Sequence, residues 1–278
     1  MKIKIYGCRG SIPFVRTPPS FFGGNTSCAV IESGGRYLII DAGSGIMQFE
    51  YEMRETHMDY PKNLPFTVDI LLSHLHLDHI IGLTMFAPIA EPQASTRIYT
   101  YSRNDTPLKE QIFFPFKPPY WPAPMALDAK AEIVQLFDGV TFKIGDTFTV
   151  TPFTAKHPDN SASFRITDGS RTVLHLLDDE LPALDDDGFE KLVGYCKGAD
   201  LIIFDAAYTP VDYPKKRGWG HSTAKDGERL AEACGCKKMI FSHFSPDYGD
   251  EVLAGVPRYL ESSDGRFILA RDGLEIEI

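Results

Sequence analysis

The sequence predicts an α/β protein in which two mixed β-sheets pack face to face with helices outside, a four-layer αβ/βα arrangement. Short apolar segments rich in Val, Ile and Phe recur along the chain, and amphipathic helical patterns follow several of them. The strand-like segments also cluster early and again in mid-chain, each set leading into helices. No repeat or low-complexity linker interrupts the 278 residues. Residues 1–278 therefore read as one domain, a length that suits a single large α/β unit.

The early strands are predicted at 3–6, 28–32, 37–40, 68–72 and 97–99. The first alternates polar and apolar residues, as a half-buried strand does. The later strands are predicted at 148–152, 163–167, 172–176, 201–204, 239–241 and 267–270. Helical periodicity covers 44–53, 189–196, 223–234 and 250–261. The third of these places Ala224, Leu230, Ala231 and Ala233 on one side, and Cys234-Gly235-Cys236 reads as its stop. Residues 113–122 are dense in Pro and aromatics and read as a rigid loop. Two roles stay open for that loop: an active-site wall that stacks on a ring, or a packing surface that includes a homodimer contact.

Composition is that of a soluble globular protein, 43% hydrophobic and 24% charged. The net charge of −10 argues against a broad electrostatic footprint for DNA or RNA. No run is long enough to span a membrane, and the N-terminus lacks the apolar core of a signal peptide. Five cysteines at irregular spacing argue against a disulfide framework and suit a reducing cytoplasm.

Chemistry concentrates at His74-Leu75-His76-Leu77-Asp78-His79, directly after the predicted strand 68–72. Four metal-ligand side chains in six residues are hard to place at a strand end without a cation, because buried ionisable groups are costly unless paired or coordinated. Imidazole with carboxylate suits zinc, manganese or iron. Further along, His157, Asp178 and His243 each follow a predicted strand, where α/β folds place their chemistry. Asp178 carries two oxygens and so is able to bridge two ions. His175, between Leu174 and Leu176, reads as structural or solvent-facing, and His57 as a surface residue. Asp41 is expected to brace the metal loop by hydrogen bonds. Asn25, Thr26 and Ser27 either bind a substrate oxyanion or form a turn. Lys215-Lys216-Arg217 either draws in a phosphate or is simply solvated.

The hexad with His157, Asp178 and His243 resembles the metallo-β-lactamase fold superfamily. Residues 7–11 (Gly-Cys-Arg-Gly-Ser), 23–28 (Gly-Gly-Asn-Thr-Ser-Cys), 41–43 (Asp-Ala-Gly) and 218–223 (Gly-Trp-Gly-His-Ser-Thr) resemble its phosphodiesterase branch, which includes ribonuclease Z and small cyclic phosphodiesterases. The resemblance spans about Ile3 to Asp250 and implies two divalent ions, zinc first, with manganese or iron in its place. It implies that His74, His76 and His157 hold one ion, that Asp78, His79 and His243 hold the other, and that Asp178 bridges. It also implies catalytic roles for His221, Asp205 and Asp78, with Asp205 supporting His221. Phe204 and Phe244 depart from the pattern, standing where relatives commonly have His.

The function expected on this basis is hydrolysis of a small or cyclic phosphodiester, such as a cyclic nucleotide, by a metal-activated water, with His221 protonating the leaving group. An RNA 3′-processing nuclease is the main competing reading. The acidic charge, and the lack of a basic insertion for gripping tRNA, make RNA the lesser expectation and give no reason to expect DNA or a membrane. A carbon-ester or lactone hydrolase of the same fold, and a non-catalytic ligand-binding member, also stay open.

Overall fold

The computed structural model describes residues 1–56, 67–92, 94–122, 124–125, 129–159, 161–262 and 264–278. The expectation for His57 lies outside these residues. Among them the strands form two seven-stranded sheets. In the first, β1 (Lys2–Gly7), β2 (Cys28–Ser33), β3 (Arg36–Ile40), β4 (Thr67–Leu71), β5 (Ser95–Thr100) and β6 (Glu132–Gln135) lie side by side in chain order. The C-terminal strand of that sheet, β14 (Leu274–Glu277), pairs antiparallel with β1. The second sheet runs β7 (Phe142–Ile144), β8 (Phe148–Thr154), β9 (Ala162–Thr167), β10 (Thr172–Leu176), β11 (Leu201–Asp205), β12 (Met239–Ser242) and β13 (Phe267–Leu269). Both sheets are mixed, as expected. β3 to β6 are parallel in one and β10 to β13 in the other.

Side-chain alternation along the strands divides the core. Ile3, Ile5, Ile31, Leu38 and Ile40 face the second sheet and join Phe148, Val150, Phe164 and Val173 in one cluster. Their neighbours Val30 and Ile39 point the other way and pack on Ile46, Phe49 and Met53 of α1 (Ile46–Thr56). This is the period of two that a sheet covered on both faces requires. Each fully buried Ile, Leu or Phe contributes roughly 1.5–3 kcal/mol relative to exposure. The outer face of the second sheet is covered by α4 (Asp186–Cys196) and α5 (Ala224–Cys234), through Leu192, Cys196, Leu230 and Ala231.

α5 starts where its sequence says it should. Thr223 accepts from the Asp226 amide and Asp226 returns the bond to Thr223, a capping box. It stops at Gly235, whose φ of +67° is the left-handed cap that glycine adopts without strain. The helix expected over 250–261 is shorter. It forms α6 (Asp250–Ala254) and then a 3₁₀ turn over Val256–Tyr259, because Pro257 has no N–H to continue the ladder. In residues 113–122, Phe113 is not loop but the last residue of α3 (Leu108–Phe113), and turns follow it. Phe113 and Phe116 are buried in the core, whereas Phe114 and Tyr120 are exposed. Among the described residues no helix is long and apolar enough to cross a membrane.

Candidate metal centre

The C-terminal ends of parallel strands from both sheets meet at one place, and the predicted ligands meet there with them. His74 follows β4, and Asp78 and His79 sit on the short α2 (Leu77–Ile80). His157, Asp178 and His243 follow β8, β10 and β12, and Asp205 ends β11. Asp178 lies at the centre. Its Oδ1 is 3.7 Å from Nε2 of both His74 and His157. Its Oδ2 is 3.1 Å from His79 Nε2 and 3.3 Å from His243 Nε2. Asp78 Oδ2 faces the second pair at 3.4 Å and 3.3 Å. Each Asp178 oxygen thus addresses one His pair.

Several of these atoms are buried yet make no aligned hydrogen bond, among them His74 Nε2 and Asp178 Oδ2. His79 Nε2 and His243 Nε2 lie only 3.2 Å apart. Buried polar atoms are normally satisfied, so convergent orphans point to a missing shared partner. Protonation agrees. Burial and the neighbouring His79 push the His74 pKa well down, and burial takes His157 to about 4, so both present neutral imidazoles at neutral pH. Burial opposes the charge on Asp178, but the surrounding histidines outweigh it and hold its pKa well below the usual range. His79 goes the other way. Burial disfavours its cationic form, yet Asp178, Asp78 and Asp41 together raise its pKa far above normal. Three carboxylates around one ring call for positive charge at this point. The neutral imidazoles of His74 and His157 with ionised carboxylates are the donor set a divalent cation requires, and a cation at this point would take the place of the proton on His79. The residues present therefore fit a metal pair.

Outer contacts fix the candidate ligands. Asp41 Oδ2 lies 2.8 Å from His79 Nδ1, and its Oδ1 accepts from the Ser73 amide at 2.8 Å, the bracing expected of it. His175 is not solvent-facing but fully buried, 3.9 Å from Asp41. Thr26 and Ser27 are spent on the turn, bonded to Ser44 and Asp41 respectively, and Asn25 Oδ1 accepts from Ser44. The exposed one of the predicted ligands is His76, whose Nε2 is held by Asp159 at 2.6 Å, so that Nδ1 is the nitrogen left over. The Ser11 amide donates to Asp78 Oδ2 at 2.6 Å. Gly10 lies so close to His243 that a Cβ there would come within 2.5 Å of the ring. Phe204 and Phe244 are wholly buried, so the departures from the family pattern fill the core beneath the site.

His221 stands at the rim. Its Nδ1 is 2.8 Å from Asp205 Oδ2, and Asp205 is itself fixed by the amides of Asp178 and Ala207. Burial lowers the His221 pKa, but the charge and hydrogen bond of Asp205 outweigh it and push it up to about 9. Of the nearby basic triplet, Lys216 lies over the Trp219 ring at 4.2 Å.

One residue that sequence reasoning missed is Glu180. It is buried and accepts from Tyr213 Oη, the Gly218 amide and the Gly220 amide at 2.8, 2.7 and 3.0 Å. It therefore anchors the loop that carries His221. Gly220 must be glycine there: φ is +87° and a Cβ would lie 2.2 Å from the His157 ring. Glu180→Ala is expected to cost roughly 1–3 kcal/mol for a stranded buried donor and to lower kcat as His221 loosens. Thermal melting and steady-state kinetics check this; unchanged values in both would remove the anchoring role.

The profile of the Beta-lactamase superfamily domain matches residues 36–244. Ribonuclease Z of Azobacteroides pseudotrichonymphae genomovar. CFP2 is 24% identical over 279 residues, covering 91% of this chain and 90% of that protein. The metallo-beta-lactamase fold protein YhfI from Bacillus subtilis superposes with a TM-score of 0.70 at 21% identity, covering 99% of both chains. A diphosphatase from the PhnP family superposes at 0.69 and 20% identity, covering 100% of this chain and 97% of its own. With the fold, the profile and the His/Asp cluster in agreement, the chain belongs to the beta-lactamase superfamily, as a metallo-hydrolase of that fold.

Proposed function

We propose that this protein is a dinuclear metal-dependent phosphodiesterase acting on a small or cyclic phosphodiester, such as a cyclic nucleotide. The observation that carries the proposal is the pairing of Asp178, with one oxygen toward each His pair, and the His221–Asp205 couple at its edge. His74, His76 and His157 would hold one ion, Asp78, His79 and His243 the other, with Asp178 shared. Two divalent ions, zinc first, would supply Lewis acidity toward a phosphoryl oxygen and a lowered pKa for water.

The chain's own residues complete the chemistry. An alkoxide leaving from phosphorus is a poor leaving group and needs a proton. His221 offers one, with Asp205 holding Nδ1 so that Nε2 is the nitrogen turned to other work. Carbon esters with better leaving groups would have little use for that couple. The names of the relatives, a ribonuclease and a diphosphatase, support chemistry at phosphorus. An RNA 3′-end nuclease is the second reading, favoured by the ribonuclease Z match. The net charge of −10 disfavours it, because RNA affinity rests on phosphate contacts.

Hydrolysis of bis(p-nitrophenyl) phosphate by protein purified without chelator is the test. The expected result is turnover that EDTA abolishes and zinc or manganese restores, with about two metals per chain as a dinuclear site requires. Metal without turnover on any phosphodiester would move the activity to carbon esters, and a protein that binds no metal would end the proposal. Turnover of an RNA 3′ end that collapses between low and moderate salt would favour the nuclease.

A further inference from the structure

A cavity of ≈ 560 Å³ opens beside the metal centre, within the usual size range of small-molecule sites. Its walls include Leu75, Arg103, Phe113, Phe114, Phe116 and Lys117, with Glu110 at the polar side. Three features tie it to the candidate site. Leu75 lies between the ligands His74 and His76. Arg103 donates to the Ser73 carbonyl, next to His74, at 3.4 Å. Asp159, which holds His76, is the charged neighbour of Arg103. His76 is also the exposed ligand, its side chain 44% accessible, so the centre is open on its side.

The lining is aromatic with two cations. Phe113 and Phe116 are buried and form a fixed floor. Phe114 is 64% exposed, and Lys117 Nζ sits 4.1 Å from its ring centroid, pinning the ring from one side. A large exposed Phe held in place beside a cavity suits a flat apolar group better than solvent. Arg103 and Lys117 line the same cavity together with Glu110.

We propose that this pocket holds an aromatic ring carried by the substrate, a nucleobase where the substrate is a nucleotide, with Phe114 as the specificity-determining residue that stacks on it. The assignment rests on the phosphodiesterase reading above for its substrate, but the ring pocket is testable by binding alone. Base–aromatic stacking is sequence-tolerant and worth about tenfold or more in affinity.

The experiment is calorimetric titration of the metal-loaded protein with AMP and with ribose 5-phosphate, which share a phosphate and differ in the base. AMP is expected to bind at least about tenfold more tightly. Phe114→Ala should erase that preference while leaving ribose 5-phosphate unchanged, and Phe114→Trp should keep it. Phe114 is a surface side chain, so both variants are expected to fold. In the same preparations Phe114→Ala should raise KM for bis(p-nitrophenyl) phosphate without changing kcat. Equal binding of the two ligands by the wild type, or a preference that survives Phe114→Ala, overturns the pocket assignment. Absent phosphodiester turnover with an intact, Phe114-dependent AMP preference overturns the activity and leaves the pocket standing.

Discussion

Asp178→Asn lowers turnover by more than the 10–100-fold that outer partners of a metal ligand cost, about 100-fold at the least. The substitution keeps the shape and tolerates the positive φ of this position, so the fold survives it. What it removes is the charge that both His pairs face and the equivalence of the two oxygens. One amide cannot present an anionic oxygen to each of two cations about 3.5–4 Å apart. Metal analysis of the purified variant is expected to give fewer than two ions per chain. The melting temperature should also stop rising with added metal, because a ligand that binds the folded state at a hundred times its Kd contributes about 2.7 kcal/mol. Two retained ions with turnover within a few-fold of wild type would remove Asp178 from the bridging position.

On a phosphodiester with an alkoxide leaving group, His221→Ala lowers kcat by about 10²–10⁴ while the metal content stays at the wild-type level, and it lowers kcat far less on bis(p-nitrophenyl) phosphate, whose nitrophenolate leaves without a proton. The contrast with Asp178 is the point, since one residue would bind ions and the other would move a proton. The pH profile carries the sign. A general acid works in its protonated form, and Asp205 raises the His221 pKa to about 9. Activity should therefore fall as pH rises through a limb at or below that value, because cations bound at Asp178 would pull it down. The Ala variant should lack the limb. Loss of metal in this variant, or an unchanged kcat on the alkoxide substrate, would take His221 out of the reaction.

The hexad was legible because its candidate ligands are neighbours in sequence, and a cluster of that density has few explanations. His157, Asp178 and His243 are far apart in the chain, but each follows an apolar strand, and parallel strands bring their C-terminal ends to one edge. The partners of these ligands carried no such signal. Asp159 meets His76 across 83 residues, and Glu180 reaches amides 38 and 40 residues away. Nothing local distinguishes these acids from solvated ones. Their only clue is position, two residues beyond His157 and Asp178. Among the strands, β6, β7 and β14 were missed because they are three or four residues long and mix charged with apolar side chains. Their pairing is decided by the neighbouring strand more than by their own propensity. Phe113 was read as loop because the Pro-rich run that follows it hid the last turn of a helix.

Among the described residues, four other than glycine have left-handed backbone: Ser11, Asp41, Asp178 and His243, with φ between 55° and 65°. All four belong to or touch the candidate metal centre. Such a conformation costs up to roughly 1–2 kcal/mol for a side-chain-bearing residue. The chain turns sharply at each point, and this aims a donor where a regular strand end would not. The strain is held in place by what surrounds it: Asp41 takes a bond from the Ser73 amide and faces His79 Nδ1. Glycine at 41, 178 or 243 would relax the backbone yet strand buried partners at roughly 1–3 kcal/mol each. A redesign that scores backbone comfort alone would therefore choose the wrong residue at all three positions.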